Sequence, residues 1–390
     1  MTTAPNHSSA PTHARKRVLS GMRPTGKLHL GNYMGALKNW LQLQHKYECF
    51  FFIADWHALT TDYADTSAVH QNTLDVALDW LGAELGLDPE TCVLFVQSHV
   101  PQHAELHLLF SMITPLGWLE RVPTYKEQQE NLTGKDLTTY GFLGYPLLQS
   151  ADILLYQADF VPVGQDQVAH VELTREVARR FNQFYPKHFG GMEPPPRPSS
   201  YAGMQYPPGY VDRSRCVLPE PEVLLTPSPK LPGTDGRKMS KSYGNTILLT
   251  DPEPEVRQKL KTMVTDPARI RRTDKGNPDV CPVFDLHKVF SSPETQQKVR
   301  EGCTTASIGC IECKGWAADG IVREIAPMQE RRAVLAAKPQ QVWETLHAGA
   351  ERAQKSAEAT MLQVRAAMQM APHAALAAPE IAPKKEATRA

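Results

Sequence analysis

Two short motifs in the first 250 residues carry residue types suited to binding a nucleoside triphosphate. H-L-G-N occupies residues 29–32, after an apolar run and before a helical pattern, and K-M-S-K-S occupies residues 238–242 in a polar loop. The free N–H groups and positive dipole end of a helix N-terminus attract phosphate. Gly31 has no Cβ, so backbone and nucleotide can approach closely. His29 can donate a hydrogen bond to phosphate, and the two lysines can neutralise its charge.

Together the two motifs predict a site that holds ATP while a nucleophile attacks its α-phosphate. Joining a carboxylate to AMP needs no general base, because the carboxylate is already ionised at neutral pH. Negative charge instead builds on the α-phosphate and the departing pyrophosphate, so positioning and electrostatic stabilisation must supply the catalysis. The residues that we predict to be catalytic are His29, Asn32, Lys238 and Lys241. The alternative interpretation is a capping or surface histidine and a solvated basic turn.

The elements that must position these motifs follow an α/β pattern. Strand-like runs are expected at 17–20, 50–54 and 92–97, and they alternate with helical patterns at 32–47 and 67–87. This alternation predicts a parallel sheet with right-handed crossovers, a Rossmann-like nucleotide-binding fold. Ligands of such sheets gather at the carboxyl ends of the strands. The H-L-G-N motif follows one such end.

After residue 251 the pattern becomes helical, which predicts a C-terminal α-helical domain at 251–371 behind a catalytic domain at 17–250. The expected helices of the second domain lie at 255–263, 294–301, 317–338 and 340–370. Between 190 and 235 the density of Pro and Gly excludes a continuous helix and predicts an ordered loop or insertion. Residues 1–16 and 372–390 are predicted to be disordered tails, with a transit peptide as the alternative for the first.

The composition limits the kinds of partner. The chain of 390 residues has a formal net charge of zero, so an RNA would be held by local basic patches rather than by a global field. The run 269–275 contains several basic residues and is one candidate patch, with a solvated loop as the alternative. No apolar run reaches the roughly 18 residues needed to cross a bilayer. We therefore expect a cytoplasmic protein that does not enter the membrane.

Several longer stretches identify a family that the chain resembles. They are S-G-M-R-P-T-G at 20–26, N-Y-M-G-A-L at 32–37, A-D-W-H-A-L-T at 54–60, and A-D-I-L-L-Y with V-P-V-G-Q-D-Q between 145 and 170. From about residue 18 to about residue 370 the chain resembles the tryptophanyl-tRNA synthetases, a family of class I aminoacyl-tRNA synthetases. The resemblance implies ATP, Mg²⁺, tryptophan and tRNA(Trp) as ligands, a homodimer, and a helical domain that contacts the tRNA anticodon.

The resemblance also implies roles for individual residues. The segments that would contact ATP supply Arg23, Pro24, Thr25, Gly31, Asn32, Gly35, Gly164, Gln165, Asp166, Leu231, Lys238, Met239, Ser240, Lys241 and Ser242. The residues that would contact tryptophan are His57, Tyr145, Gln149, Asp152 and Gln167. For His57 and its neighbour Asp55 a structural role is an equal alternative, and for Gln167 the alternative is an exposed position on a helix.

Asp152 lies inside an apolar run at 147–155, where burying a carboxylate without a partner is costly. An indole N–H is a donor without acceptor character, which suits a buried aspartate. By resemblance, Asp152 reads the indole N–H of the substrate, and it would reject side chains that lack this group. The alternative is a structural aspartate that points to solvent or caps a turn.

The chain departs from the family pattern at three positions. Arg23 stands where many members have glutamine, Gln149 where they place a methionine against the indole, and Gln128 where a lysine is expected. Arg23 could supply phosphate charge that Gln128 lacks. Gln149 makes the predicted pocket more polar and closer to the tyrosine enzyme. The alternatives are therefore a tyrosine–tRNA ligase and a catalytically silent RNA-binding or regulatory paralogue.

Four of the seven cysteines cluster in the predicted helical domain. They are Cys281, Cys303, Cys310 and Cys313, and the last three form C-x6-C-x2-C. Zinc and a 4Fe-4S cluster both accept four thiolates. Zinc sites usually use two closely spaced pairs, so the wide spacing here favours the 4Fe-4S cluster, which a subset of the resembled family carries. Four reduced cysteines without a metal are the remaining alternative.

Overall fold

The computed structural model describes residues 15–83, 86–123, 125, 136–186, 216–225 and 231–370. Three sequence predictions fall wholly or largely outside these residues. They concern the two tails, the departure at Gln128, and most of the Pro-rich segment at 190–235.

A five-stranded parallel sheet forms the centre of the fold, in the order β3-β2-β1-β4-β5. Its strands are β1 (Arg17–Met22), β2 (Glu48–Ile53), β3 (Cys92–Val96), β4 (Phe160–Val163) and β5 (Glu222–Leu225). The predicted parallel, Rossmann-like α/β fold is thus confirmed. The three strands expected from their apolar runs are also confirmed, to within about two residues at their ends.

The sequence analysis missed two strands. β4 has only four residues and contains Pro162, and a proline is unusual within a strand. β5 lies in the Pro-rich segment that we expected to be loop, and its residues are half-buried or exposed. β5 pairs with β4 alone, at the edge of the sheet. Both strands therefore lack the continuous apolar run that reveals a central parallel strand.

Helices cover both faces of the sheet in the first part of the chain. They are α1 (Leu30–Asn32), α2 (Lys38–Leu43), α3 (Asp55–Asp62), α4 (Val69–Gly82), α5 (Gln102–Ser111), α6 (Leu116–Glu120), α7 (Tyr140–Leu155) and α8 (Val168–Phe184). A π-helical turn at Tyr33–Leu37 joins α1 to α2. Successive residues of β2 point to opposite faces, so Phe51 packs with Trp40 and Trp80 while Phe50 stacks on Tyr156.

The C-terminal part is helical, as predicted. Its helices are α9 (Glu253–Thr262), α10 (Pro282–Phe290), α11 (Pro293–Thr305), α12 (Cys310–Ala336) and α13 (Pro339–Ala367). The last helix runs back along β3, where a Cβ on Gly349 would lie 1.7 Å from the carbonyl oxygen of Leu94. A larger residue at position 349 would force the helix off the sheet. None of the helices in the described ranges is long and apolar enough to span a bilayer.

Candidate active site

A cavity of about 380 Å³ opens beside the carboxyl ends of β1 and β4. Ser20 and Gly21 line it from β1, and Val163 and Gly164 line it from the end of β4. Gly21 is required by packing, since a Cβ there would lie 2.5 Å from Cζ of Phe52. The cavity therefore occupies the position at which open parallel sheets bind ligands.

The cavity gathers many of the residues that the sequence singled out. Those that line it are Arg23, Gly35, His57, Tyr145, Gln149, Asp152, Gly164 and Gln167. All five residues predicted to contact tryptophan are in this set. Their roles remain predictions, but the fold brings them to one place from α3, α7 and the turn before α8.

Asp152 is fully buried on α7, and three side chains donate hydrogen bonds to its carboxylate. Gln97 Nε2 and His103 Nδ1 reach Oδ1 at 2.8 and 2.6 Å, and His57 Nε2 reaches Oδ2 at 2.8 Å. Burial by itself raises the pKa of a carboxyl group, but the hydrogen bonds from His103 and His57 outweigh it and hold the pKa of Asp152 well below its usual range. Asp152 is therefore a buried, ionised acceptor at the cavity wall.

Gln149, the residue that departs from the family pattern, is paired within the protein. Its Oε1 accepts a hydrogen bond from Nδ1 of His170 at 2.6 Å. Burial, together with the nearby His57, lowers the pKa of His170 to about 4. The His170 ring is thus neutral at pH 7 and donates through Nδ1, because an amide oxygen can only accept.

His29, the first residue of the H-L-G-N motif, is the N-cap residue of α1. Its Nδ1 accepts a hydrogen bond from the backbone N–H of Asn32 at 3.3 Å, and the Asn32 side chain accepts from the His29 backbone at 3.2 Å. Burial and the charge of Lys241 lower the pKa of His29 to about 4. In the neutral ring the proton then sits on Nε2, which leaves Nε2–H as the donor. His29 is therefore a helix cap and also retains the donor that phosphate binding needs.

Lys241 reaches from the K-M-S-K-S loop to the turn before His29. Its Nζ donates to the carbonyl oxygens of Thr25 and Gly26, at 3.1 and 2.8 Å. Burial lowers the pKa of Lys241, while Asp79 and Asp75 oppose the change. Gly26 adopts φ of +102°, a conformation that favours glycine and lets the turn present both carbonyls. The two sequence motifs thus meet in the folded chain.

The rest of the loop is ordered around Asn245. The Asn245 Oδ1 atom accepts the Ser240 N–H at 2.8 Å, and its Nδ2 donates to the Lys238 carbonyl at 3.2 Å. The Met239 side chain is buried, and the Met239 backbone N–H donates to the Leu231 carbonyl oxygen. The Lys238 and Ser242 side chains are exposed. Lys238 therefore faces solvent, whereas Lys241 is half-buried.

Arg23 and the segment after β4 complete the predicted ATP contacts. The Arg23 guanidinium donates a hydrogen bond to the Thr61 hydroxyl and lies 3.4 Å from a carboxylate oxygen of Asp62. Both partners belong to α3, so this helix already holds the Arg23 side chain. Pro24 is buried and Thr25 is exposed. Gln165 and Asp166 are exposed on the short 3-10 turn that follows Gly164. The two segments follow the carboxyl ends of β1 and β4, where Arg23 and Gly164 line the cavity.

Comparisons with known proteins agree with this arrangement. Residues 11–324 match the family described as class I tRNA synthetases for tryptophan and tyrosine. The tryptophan–tRNA ligases of Ralstonia nicotianae and Thermotoga maritima are each 50% identical to this chain; they cover 90% and 91% of it, and the match covers 98% and 99% of those proteins. The chain belongs to the class I tryptophanyl-tRNA synthetase family.

A solved structure extends this family relationship to the fold. The Campylobacter jejuni tryptophanyl-tRNA synthetase, crystallised with ADP and tryptophan, aligns with a TM-score of 0.75 at 31% identity. The alignment covers 91% of this chain and all of that one. The family match includes the sheet, the cavity, the His29 turn and the K-M-S-K-S loop.

The four clustered cysteines of this tryptophanyl-tRNA synthetase family member also converge. Cys281, Cys303, Cys310 and Cys313 line one small cavity of about 20 Å³ in the helical part. Burial and the neighbouring thiols raise the pKa of Cys313 to about 12, and Arg269 donates to Cys303 Sγ at 3.7 Å. Across the described ranges, however, no three His, Cys, Asp or Glu side chains are arranged to hold a metal ion. The convergence is present, while a metal-binding geometry is not.

The sequence analysis missed four residues of the site. Gln97 and His103 donate to Asp152, and Tyr156 contacts His103. His170 donates to Gln149. They come from four different elements, so no local spacing links them. Tyr156 ends the A-D-I-L-L-Y run that carries the family resemblance, which was a signal for it alone. His103 and His170 lie on helices with several other polar residues, so their residue type gave no signal.

Asp55, the neighbour of His57, has a structural contact. Its Oδ1 accepts the N–H of Ser98 at 3.1 Å and thereby ties the end of β2 to the end of β3. This contact favours the structural alternative for Asp55, whereas His57 lines the cavity.

Proposed function

We propose that this chain is a tryptophan–tRNA ligase that works in two steps. The carboxylate of tryptophan attacks the α-phosphorus of ATP, and the bond to pyrophosphate breaks to leave tryptophanyl-adenylate. The terminal ribose hydroxyl of tRNA(Trp) then attacks the adenylate carbonyl, and AMP departs. Membership of the tryptophanyl-tRNA synthetase family and relatives named tryptophan–tRNA ligases at 50% identity support this proposal.

The buried carboxylate of Asp152 is the observation that carries the proposal. An ionised acceptor in the wall of a cavity of about 380 Å³ calls for a ligand donor that lacks acceptor character. The indole N–H is such a donor. A phenol could also donate, and Gln149 is the residue that would favour the tyrosine enzyme. The side-chain oxygen of Gln149, however, already accepts a hydrogen bond from His170.

We assign the phosphates to the turn at the start of α1. Nε2–H of His29 and the backbone of Gly31 would contact ATP, and Lys238 and Lys241 would stabilise the leaving pyrophosphate. Mg²⁺ accompanies ATP in this reaction and adds positive charge at the phosphates. No residue acts as a general base in this scheme, since the attacking carboxylate is already ionised.

Charging of tRNA tests the proposal. Labelled tryptophan or tyrosine is supplied with ATP, Mg²⁺ and transcripts of tRNA(Trp) or tRNA(Tyr), and acid-precipitable label is counted. We expect label only with the tryptophan and tRNA(Trp) pair. Label with the tyrosine pair would transfer the assignment to tyrosine–tRNA ligase. Folded protein that charges neither tRNA would support the silent RNA-binding paralogue.

We further propose that the four cysteines hold a 4Fe-4S cluster. A single zinc ion at about 2.3 Å from each sulfur would draw all four sulfurs tightly together, and the described structure has no such group. A cluster binds each thiolate to a different iron, so its four sulfurs lie further apart than those around zinc. The four thiols line one cavity of about 20 Å³, and the side chains around it would move apart to admit a cluster. Its position in the helical part supports a structural or tRNA-positioning role.

Metal analysis of anaerobically purified protein tests this second proposal. Four iron atoms and four sulfides per chain are expected, and Cys310→Ser should lower both values. Cys49→Ser, at a buried cysteine of β2, is the matched control and should leave them unchanged. Zinc at one atom per chain, or no metal, would overturn the cluster.

The homodimer and the anticodon contact are also proposals that follow from the family. Basic residues 269–275 lie next to the cysteine cavity, and Arg269 contacts Cys303 there. They would contact tRNA phosphates without reading sequence. Light scattering of the purified protein would give twice the chain mass for a dimer and the single mass if this proposal is wrong. As a translation enzyme the protein would act in the cytoplasm.

A further inference from the structure

We propose that His103 is a positioning residue that orients the Asp152 carboxylate for the indole N–H. This inference deepens the proposed function and rests on it. His103 does not line the cavity, so it acts on the substrate only through Asp152. Its contribution would be to fix which acceptor position of the carboxylate a ligand can use.

The hydrogen bonds to Asp152 leave room for one more donor. A carboxylate has about four acceptor positions, two on each oxygen. Gln97 and His103 both donate to Oδ1, and His57 donates to Oδ2. The remaining position is therefore on Oδ2. A carboxylate that rotated freely would present either oxygen, but the two donors on Oδ1 prevent this.

The tautomer of His103 is set by its second neighbour. Its Nε2 lies 2.8 Å from the hydroxyl of Tyr156. Because Asp152 can only accept, Nδ1 of His103 carries a proton, and a neutral ring then accepts from Tyr156 through Nε2. If Nε2 donated instead, the hydroxyl proton of Tyr156 would need another acceptor, and none contacts it within the described ranges. Burial raises the pKa of Tyr156, so this proton stays in place.

Packing holds the chain of contacts rigid. His103, Asp152 and Tyr156 are each fully buried. The rings of Phe52 and Phe95 lie 5.8 and 6.0 Å from the His103 ring, and Phe50 stacks on Tyr156 at 4.8 Å. An apolar enclosure strengthens each hydrogen bond and makes an unpaired polar atom costly. The Asp152 carboxylate can therefore be held by His103 in one orientation before any substrate arrives.

The test compares His103→Asn with His103→Leu. The two new side chains have similar size and shape, and the amide nitrogen of asparagine can take the place of Nδ1 while leucine has no donor. Both variants lose the contact with Tyr156. Pyrophosphate exchange is measured with tryptophan and with 3-benzothienylalanine, an analogue in which sulfur replaces the indole N–H. The readout is the ratio of the two kcat/KM values, with the KM for ATP as an internal reference.

We expect His103→Leu to lower the ratio of tryptophan to analogue at least about tenfold, because the N–H loses its aligned acceptor. His103→Asn should recover most of the ratio, and Tyr156→Phe should give an intermediate value. The KM for ATP should stay near that of the wild type in all three variants. Circular dichroism melting reports whether each variant is folded.

Each other outcome bears on a different claim. If the wild type shows no tryptophan-dependent exchange, the proposed function itself fails. If the wild type uses the analogue as well as tryptophan, Asp152 does not read the indole N–H, and this inference falls with it. If His103→Leu and His103→Asn slow both amino acids by the same factor, His103 is only structural and the inference is overturned.

Discussion

Lys241 Nζ donates to the carbonyl oxygen of Gly26 at 2.8 Å, across 215 residues of sequence. The contact joins the K-M-S-K-S loop to the turn that precedes His29. The same ammonium group would have to leave these carbonyls, or share them, to reach a leaving pyrophosphate. A loop whose lysine can exchange protein acceptors for phosphate acceptors matches the chemistry proposed for it.

Lys241→Ala should therefore reduce pyrophosphate exchange by about a hundredfold or more, which is the usual cost of losing one transition-state donor. The free energy of unfolding should change little, because the lost contacts are two hydrogen bonds at a half-buried site. Lys46→Ala, at an exposed lysine that does not line the cavity, is the matched control. Exchange at the wild-type rate in Lys241→Ala would remove the lysine from the mechanism.

The low pKa of His29 predicts a pH-dependent stability. The folded pKa is about 4, below the ordinary value of 6.5. Between these values the unfolded chain binds the extra proton, so stability rises with pH across this window and is lost as pH falls through it. One such group contributes about 1.4 kcal/mol per pH unit to the slope. Urea unfolding at several pH values between 4 and 6.5 measures it.

His29→Asn is the matched variant for this measurement. Asparagine is a good N-cap and can accept the same backbone N–H of Asn32, but it does not titrate. The variant should keep most of the stability at pH 7 and lose that part of the slope. It should also exchange pyrophosphate more slowly, since it lacks Nε2–H. A slope equal to that of the wild type would mean that other groups control the acid response.

Asp152→Asn should impair tryptophan use far more than ATP use. The new amide carries donors toward Gln97, His103 and His57, which are donors themselves. We expect kcat/KM for tryptophan to fall about a hundredfold or more, as when a buried charged acceptor is lost. The KM for ATP should remain close to that of the wild type. An unchanged kcat/KM for tryptophan would show that the indole N–H binds elsewhere.

A largely buried ion-pair cluster ties the helical part to the turn before His29. Arg332 of α12 contacts Asp75 and reaches Asp79 at 2.7 Å, and Asp79 also accepts the Leu28 N–H at 2.9 Å. Arg332→Met leaves both carboxylates without their cation and should destabilise the fold by about 3 kcal/mol or more. Urea unfolding measures this loss. Adding Asp79→Asn to Arg332→Met should recover part of it, and an Arg332→Met variant as stable as the wild type would contradict the argument.

The sequence predicted the parts of the fold whose signals are local. β2 and β3 contain continuous apolar runs, β1 has a shorter one before the H-L-G-N motif, and the C-terminal segments have a helical pattern. β4 and β5 escaped because Pro162 interrupts one and the other is half-exposed at the sheet edge. Their position depends on the register set by β1, which a linear pattern does not contain.

The candidate site shows the same division. Asp152 was found because an acid in an apolar run is conspicuous, and the H-L-G-N and K-M-S-K-S motifs were found because the residues of each are contiguous. His103 was not found, since its partners Asp152 and Tyr156 lie 49 and 53 residues away. Spacing also led to the four cysteines, which line one cavity although they do not form a metal-binding geometry in the described residues.

Amino-acid-dependent exchange of label between pyrophosphate and ATP tests the central claim most directly. Anaerobically purified protein is assayed with tryptophan, with tyrosine and with neither amino acid. The account predicts exchange with tryptophan alone. Exchange driven by tyrosine, or no exchange by folded protein with either amino acid, would contradict it.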